Sequence, residues 1–206
     1  LTVSDRDFLY GAIATEMSPL SEEEALKAQG VAAYTYYSRL REQQEVKPTA
    51  SLQGADFTVD TEKWLIYTTK EQMQERWGSN FEKYWSILEN VVQAVYGKTI
   101  QYEGELITAT YYAISSGKTE NAADVWGGKT PYLVSVDSPG DTYASGYQTT
   151  VTVPEDEFQQ KALAQWEDCD FSKEAQSWIG SATYTEAGSV KTMEIGGVLC
   201  KGSDVR

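Results

Sequence analysis

Histidine is absent from the 206 residues, cysteine occurs twice and proline five times. Without an imidazole, Cys169 and Cys200 are a poor basis for a zinc site, which usually takes four ligands, so neither a metal nor another cofactor is expected. Two cysteines allow at most one disulfide, and their positions do not say whether it forms. Positive charge is scarce: 17 Lys and Arg stand against 31 Asp and Glu, a net charge of −14. A phosphate backbone would be repelled by that balance, which argues against nucleic acid as a partner. No apolar run approaches the roughly 18 residues that a membrane-spanning helix needs, and no N-terminal run reads as a signal peptide.

What is present is a globular composition, 41% hydrophobic with six Trp and fourteen Tyr. The length fits one domain, or one domain carrying an inserted lobe at about 140–190. Aromatic side chains at a surface suit stacking on sugar rings, although most of these belong in a core.

Residues 11–36, GAIATEMSPLSEEEALKAQGVAAYTY, read as the end of one helix, a turn and a second, longer helix. Ser4 or Asp5 can cap the first, and Phe8, Leu9, Ala12 and Ile13 recur along one face. Pro19 pushes Ser18 out of the α region, which stops the helix near Met17. Ser21 and Glu24 have capping-box spacing for the second helix, and Glu22, Glu23 and Glu24 suit its positive end. Ala25, Leu26, Ala28, Ala32 and Ala33 then give it a small-residue face for close packing. Glu16 falls in the last turn of the first helix, where the dipole is negative and a carboxylate is disfavoured. On the residues alone it reads as a solvated surface group.

Further along, 80–97 predicts a helix with Phe81, Tyr84, Trp85, Leu88, Val91, Val92 and Val95 on one face and Gly97 as its stop. Tyr84 and Trp85 read either as core or as a sugar platform. Thr99–Tyr102 and Leu106–Ile114 predict strands about a Glu103-Gly104 turn. Strands are also expected at 134–136 and 147–153, a helix from Pro154-Glu155, and a meander over 182–186, 190–195 and 197–200. Trp126 reads as a buried anchor. The loop Ser115-Ser116-Gly117-Lys118-Thr119-Glu120 gathers several donors, apt for sugar hydroxyls or a carboxylate. It lacks phosphate-loop spacing, and on the residues alone it reads first as a plain strand-to-loop turn. The fold class is α+β: an N-terminal helix pair packed on a mostly antiparallel sheet, with a groove between helical and strand parts.

Two blocks together resemble one family. Gly11, Glu16-Met17, Pro19 and then Glu24-Ala25-Leu26-Lys27-Ala28-Gln29-Gly30-Val31-Ala32-Ala33-Tyr34-Thr35-Tyr36 are similar to the start of the catalytic domain of the stage II sporulation protein D (SpoIID) family. Residues 109–139, with the Ser-Gly loop, Val125-Trp126-Gly127 and Pro131-Tyr132-Leu133, look like that family's second block, and Gly196-Gly197-Val198-Leu199 weakly like its tail. Three departures stand out. Tyr34 replaces a usual Arg, Lys118 replaces a second Gly, and Val59-Asp60-Thr61-Glu62-Lys63-Trp64 replaces a Cys/His zinc run found in some members. The resemblance also implies a Gly-His-Gly-x-Gly-Met-Ser-Gln stretch beyond Arg206.

The resemblance implies a peptidoglycan lytic transglycosylase with Glu16 as its acid/base and Ser115, Ser116, Gly117, Lys118 and Thr119 as substrate-binding residues. An ordinary glycosidase needs two carboxylates, whereas a lytic transglycosylase needs one, which serves first as acid and then as base. The implied partners are peptidoglycan glycan strands, with other wall hydrolases or engulfment proteins beside them. The implied location is extracytoplasmic, with an N-terminal membrane anchor outside this sequence. Two other classes compete with this reading: a non-enzymatic amidase enhancer, and a glycan-binding module that holds sugar without cutting it.

Overall fold

Ser4 caps the first helix, α1 (Asp5–Glu16), its hydroxyl oxygen accepting the Asp7 N–H at 3.1 Å. The computed structural model describes residues 2–58 and 65–205. The chain divides into two compact units, Leu1–Tyr111 and Tyr112–Arg206. Helices and antiparallel strands both occur, and the fold is α+β.

In the first unit, α1 stops as Pro19 requires. Met17 is extended (φ −133°), and Ser18–Ser21 close a turn through Ser21 N–H and Ser18 O at 2.9 Å. That turn displaces the expected capping box. Ser21 is held inside it, so α2 (Glu23–Val46) begins after Glu22 with no side-chain cap. Glu23 and Glu24 pair instead with Lys27, at 2.6 and 2.8 Å. α3 (Lys70–Trp77) carries the capping box that α2 lacks, formed by Thr69 and Gln72. α4 (Phe81–Val95) follows close to its predicted limits.

Leu9, Ile13, Leu26, Leu88, Val91 and Val92 are fully buried where α1, α2 and α4 meet. Each such side chain contributes about 1.5–3 kcal/mol of transfer free energy, so the helix pair owes its position chiefly to α4. Tyr84 and Trp85 resolve towards core. Trp85 stacks on Phe81 at 5.7 Å and packs on Tyr10 at 4.7 Å, and Tyr84 sets its edge against Trp77. The hairpin β1 (Gln101–Tyr102) and β2 (Glu105–Leu106) turns at Glu103-Gly104, both with positive φ. It is far shorter than expected. β1 is two residues long and offers no longer partner to a strand continuing to Ile114.

The second unit holds α5 (Ala122–Val125), α6 (Glu155–Gln165), β3 (Ile179–Tyr184), β4 (Val190–Ile195), β5 (Val198–Lys201) and α7 (Gly202–Val205). The three strands form one antiparallel sheet in the order β3-β4-β5. Its second hairpin turns on Gly196 and Gly197, at φ 53° and 80°. A Cβ on Gly196 would also lie 2.9 Å from Cys169 Cβ, so both dihedral and space require glycine. Cys169 and Cys200 are buried free thiols in a small core with Ala162 and Ile195.

Three expectations fail in this unit. Residues 134–136 form no strand, the only bridge beside them joining Lys118 to Asp137, and 147–153 form no ladder among the described residues. Trp126 is 65% exposed, because it closes a one-turn helix and Gly127-Gly128 lead the chain away from it. No helix of the described residues is long and apolar enough to cross a membrane.

Candidate functional site

Gly11 and Thr15 fix the end of α1. The Thr15 hydroxyl donates to Gly11 O at 2.7 Å and shares a 2.8 Å hydrogen bond with the hydroxyl of fully buried Thr68, whose N–H donates to Gly11 O at 3.3 Å. Gly11 permits this approach: a Cβ there would lie 2.3 Å from the Tyr67 ring and 2.5 Å from Thr68 O. Segment 67–68 therefore clamps the last turn of α1, while Glu16, its final residue, is exposed.

Around Glu16 the first unit supplies hydroxyls and an amide. The Tyr111 hydroxyl interacts with both the Glu16 carboxylate and the Gln29 side chain. Burial first, and then Glu16, push that phenol up to about 12 against the opposing pull of Gln29. Tyr37 is pushed higher still, by burial and then by Tyr111, Tyr36 and Glu16. Both hydroxyls therefore keep their protons at any physiological pH and stay donors. Among the groups acting on them, the one carboxylate is Glu16.

Gln29 is buried on α2, with its side-chain amide against the Tyr111 hydroxyl. Sequence reasoning gave neither Gln29 nor Tyr111 a role. Both lie inside the quoted blocks, Gln29 in Lys27-Ala28-Gln29 and Tyr111 in 109–139, and a polar amide on the small-residue face of α2 was the signal available.

Position 34 is filled by a different contact. Tyr34 packs on Tyr96 at 5.5 Å, and its hydroxyl lies beside Arg41, which binds Asp5 with one nitrogen at 2.8 and 2.9 Å. A cation two turns further along α2 thus meets the carboxylate at the start of α1.

The predicted substrate loop lies in the second unit. Buried Ser115 donates its N–H to Asp141 Oδ2 at 2.8 Å, and its hydroxyl accepts Gly117 N–H at 3.1 Å. Hydrogen bonds from Ser115 hold the Asp141 carboxyl below its usual value. Ser116 Oγ donates to Ala187 O, and Ser116 O accepts the Tyr147 hydroxyl at 3.0 Å. The Lys118 ammonium pairs with Glu186 at 2.6 Å, which raises its pKa. Thr119 Oγ1 accepts Val136 N–H at 2.9 Å. Beside Ser115 and Ser116 is an open depression of about 440 Å³, lined also by Ile114, Gly146, Tyr147 and Gln148.

Among the described residues no cluster of three or more Cys, Asp or Glu side chains is placed to hold a metal. The run Val59–Trp64, compared above with a zinc motif, lies outside the described residues.

The fold is α+β, and Glu16 ends the first helix with the Tyr111 hydroxyl beside its carboxylate. A family model described as SpoIID, stage II sporulation protein, matches residues 2–102. Stage II sporulation protein D of Bacillus amyloliquefaciens is 35% identical over 97% of this chain and 56% of its own length. The protein of the same name from Bacillus subtilis (strain 168) is 32% identical, with the same coverage. The chain belongs to the SpoIID family. An amidase enhancer of Bacillus subtilis (strain 168) is also similar, 32% identical over 87% of this chain but 20% of its own length. The chain spans about half the length of the stage II sporulation proteins that it matches.

Proposed function

We propose that this chain carries the catalytic glutamate of a lytic transglycosylase that degrades peptidoglycan during sporulation, cleaving the β-1,4 bond from N-acetylmuramic acid to N-acetylglucosamine. The observation that carries the reading is Glu16 itself: an exposed carboxyl at the end of a clamped helix, touched by the Tyr111 hydroxyl. Protonated Glu16 gives its proton to the glycosidic oxygen as the C1–O4 bond breaks. The carboxylate then removes the proton of the muramic C6 hydroxyl, whose oxygen closes on C1. The product is a 1,6-anhydro sugar, formed without added water, and Glu16 ends protonated as it began. The persistently protonated Tyr111 is suited to hold the carboxylate between the two steps. The Ser115–Thr119 loop is the proposed glycan-binding segment of the second unit. A substrate of the cell wall puts the working location outside the membrane.

Mass spectrometry of peptidoglycan digests tests this. The wild-type chain is expected to release anhydro-muramic ends, and Glu16→Gln none. Reducing ends carrying an added water would refute the transglycosylase chemistry and require a second carboxylate.

The similarity to an amidase enhancer favours one other reading, a non-enzymatic stimulation of a wall amidase. Stimulation that survives Glu16→Gln, with no glycan product from either protein, would put that reading first.

A further inference from the structure

The end of α1 far from Glu16 borders a cavity of about 480 Å³, set between the start of α1, α2 and the loop Gln53–Phe57. At 1.5 Å per residue it begins about 16 Å along the helix axis from Glu16, and the chemistry proposed for Glu16 makes no use of it. Its size suits a small ligand or a single side chain. One side is aromatic. Phe8, Tyr37 and Phe57 are each half-buried and pack on one another, with ring centroids 4.7 Å (Phe8 to Tyr37), 5.5 Å (Phe8 to Phe57) and 4.9 Å (Tyr37 to Phe57) apart.

The other side is charged. Of the described residues lining the cavity, Arg41 is the one cation, and its Nη1 already binds both oxygens of Asp5, at 2.9 and 2.8 Å. Asp56 is a second carboxylate, exposed and next in sequence to the Phe57 ring, so the lining carries one negative charge in excess.

These walls choose among ligands. An anion would find the first turn of α1 capped by Ser4 and Arg41 held by Asp5, with Asp56 alongside. A neutral sugar could lie on the rings but would leave the excess charge unanswered. An aliphatic chain ending in an ammonium answers both sides: its methylenes cover the rings, and its charge is drawn by the ring faces and by Asp56. We propose that this cavity binds a primary alkylammonium, the lysine-type side chain of a peptide, laid against Phe8, Tyr37 and Phe57 and paired with Asp56. The proposal does not depend on what Glu16 does.

Nuclear magnetic resonance titration of the isotope-labelled chain tests it. The probes are Nα-acetyl-lysine methylamide and two neutral counterparts, its Nε-acetylated form and the norleucine analogue. The lysine probe is expected to move the amide resonances of Ser38, Arg41 and Phe57 and to bind about tenfold more tightly than either neutral probe. That preference should shrink at high salt. Asp56→Asn should weaken the lysine probe about tenfold, leave the neutral probes unchanged and unfold at the wild-type temperature, since Asp56 is exposed. Phe57→Leu keeps apolar bulk but removes a ring face, so the lysine probe should lose about fivefold and the norleucine analogue little.

Equal binding of the three probes overturns the proposal. So does lysine binding that survives Asp56→Asn, a response confined to resonances elsewhere in the chain, or no response to the lysine probe. A response of these same resonances to the β-1,4-linked tetrasaccharide of N-acetylglucosamine, with none to the lysine probe, overturns it in favour of a glycan site.

Discussion

Replacing Gly11 by alanine would put a methyl carbon 2.3 Å from the Tyr67 ring and 2.5 Å from the Thr68 carbonyl oxygen. Helix propensity alone favours the change by about 1 kcal/mol. Against this, segment 67–68 must retreat by about 1 Å to reach ordinary contact distance, an overpacking cost of about 1–3 kcal/mol. The retreat also strains the Thr68 N–H to Gly11 O bond and the bond between the Thr15 and Thr68 hydroxyls, and leaving buried Thr68 unpaired costs about another 1–3 kcal/mol. Tyr67 stacks on Phe8 at 5.6 Å with an 8° interplanar angle, so the ring has little room to turn aside. The net expectation is a loss of about 3 kcal/mol, or roughly 10 °C in Tm for a unit of this size. Thermal unfolding followed by circular dichroism measures it, with Gly140→Ala as control, since a Cβ there meets nothing within 4 Å. A Gly11→Ala protein as stable as wild type, or more so, would show that the clamp on α1 is not made as described.

Further outcomes follow from single contacts. Thr35 is fully buried, donates to Val31 O at 2.7 Å and accepts Ile100 N–H at 3.0 Å, so Thr35→Val should cost about 1 kcal/mol in denaturant unfolding by orphaning that N–H. Tyr111 ionises near 12 in the folded chain, against about 10 when unfolded. Its stabilising contribution is therefore complete below about pH 10 and lost as pH rises towards 12, and the phenolate absorbance step near 12 should be missing from Tyr111→Phe. Asp141 is held below the ordinary carboxyl value, so its tie to Ser115 is complete above about pH 4 and lost as pH falls through the lower folded value. The Ser115 amide resonance should follow that loss, and Asp141→Asn should abolish the pH dependence while keeping an acceptor.

The elements that the residues announced are those with a local cause. Pro19 stops α1, Ser4 caps it, the apolar stripe of 81–95 draws α4, and the Gly196-Gly197 hairpin lies inside the expected meander. The misses share a different cause, namely competition from neighbours. Ser21 had the spacing of a cap, but the Ser18–Ser21 turn took it first. Residues 107–114 had strand composition, but β1 offers a partner only two residues long. Trp126 had the size of a core anchor, but a one-turn helix ending in two glycines could not carry it inward. At the candidate site, Glu16 reads on its residues alone as a solvated surface group and is exposed, and only the family resemblance singles it out. The parts of Tyr111 and Gln29 were not legible, because nothing in a linear sequence says which phenol and which amide will meet a given carboxylate.

The clamp on α1 has a consequence for the order in which the site comes into being. Thr15 and Thr68 are 53 residues apart, Thr35 and Ile100 65, and Arg39 and Leu106 67. Contacts of such separation form only after long loops close, so they come late on any folding route and later still on a chain emerging from the ribosome. The helix pair bearing Glu16 is made first, yet the residues that fix its last turn and engage its carboxyl are made last. A chain interrupted before Tyr111 carries the acid without its setting. Completion of synthesis thus withholds the assembled surroundings of Glu16 until nearly all of the first unit exists. In a refolding experiment, helical circular dichroism should rise before the Tyr111 phenol acquires its native titration.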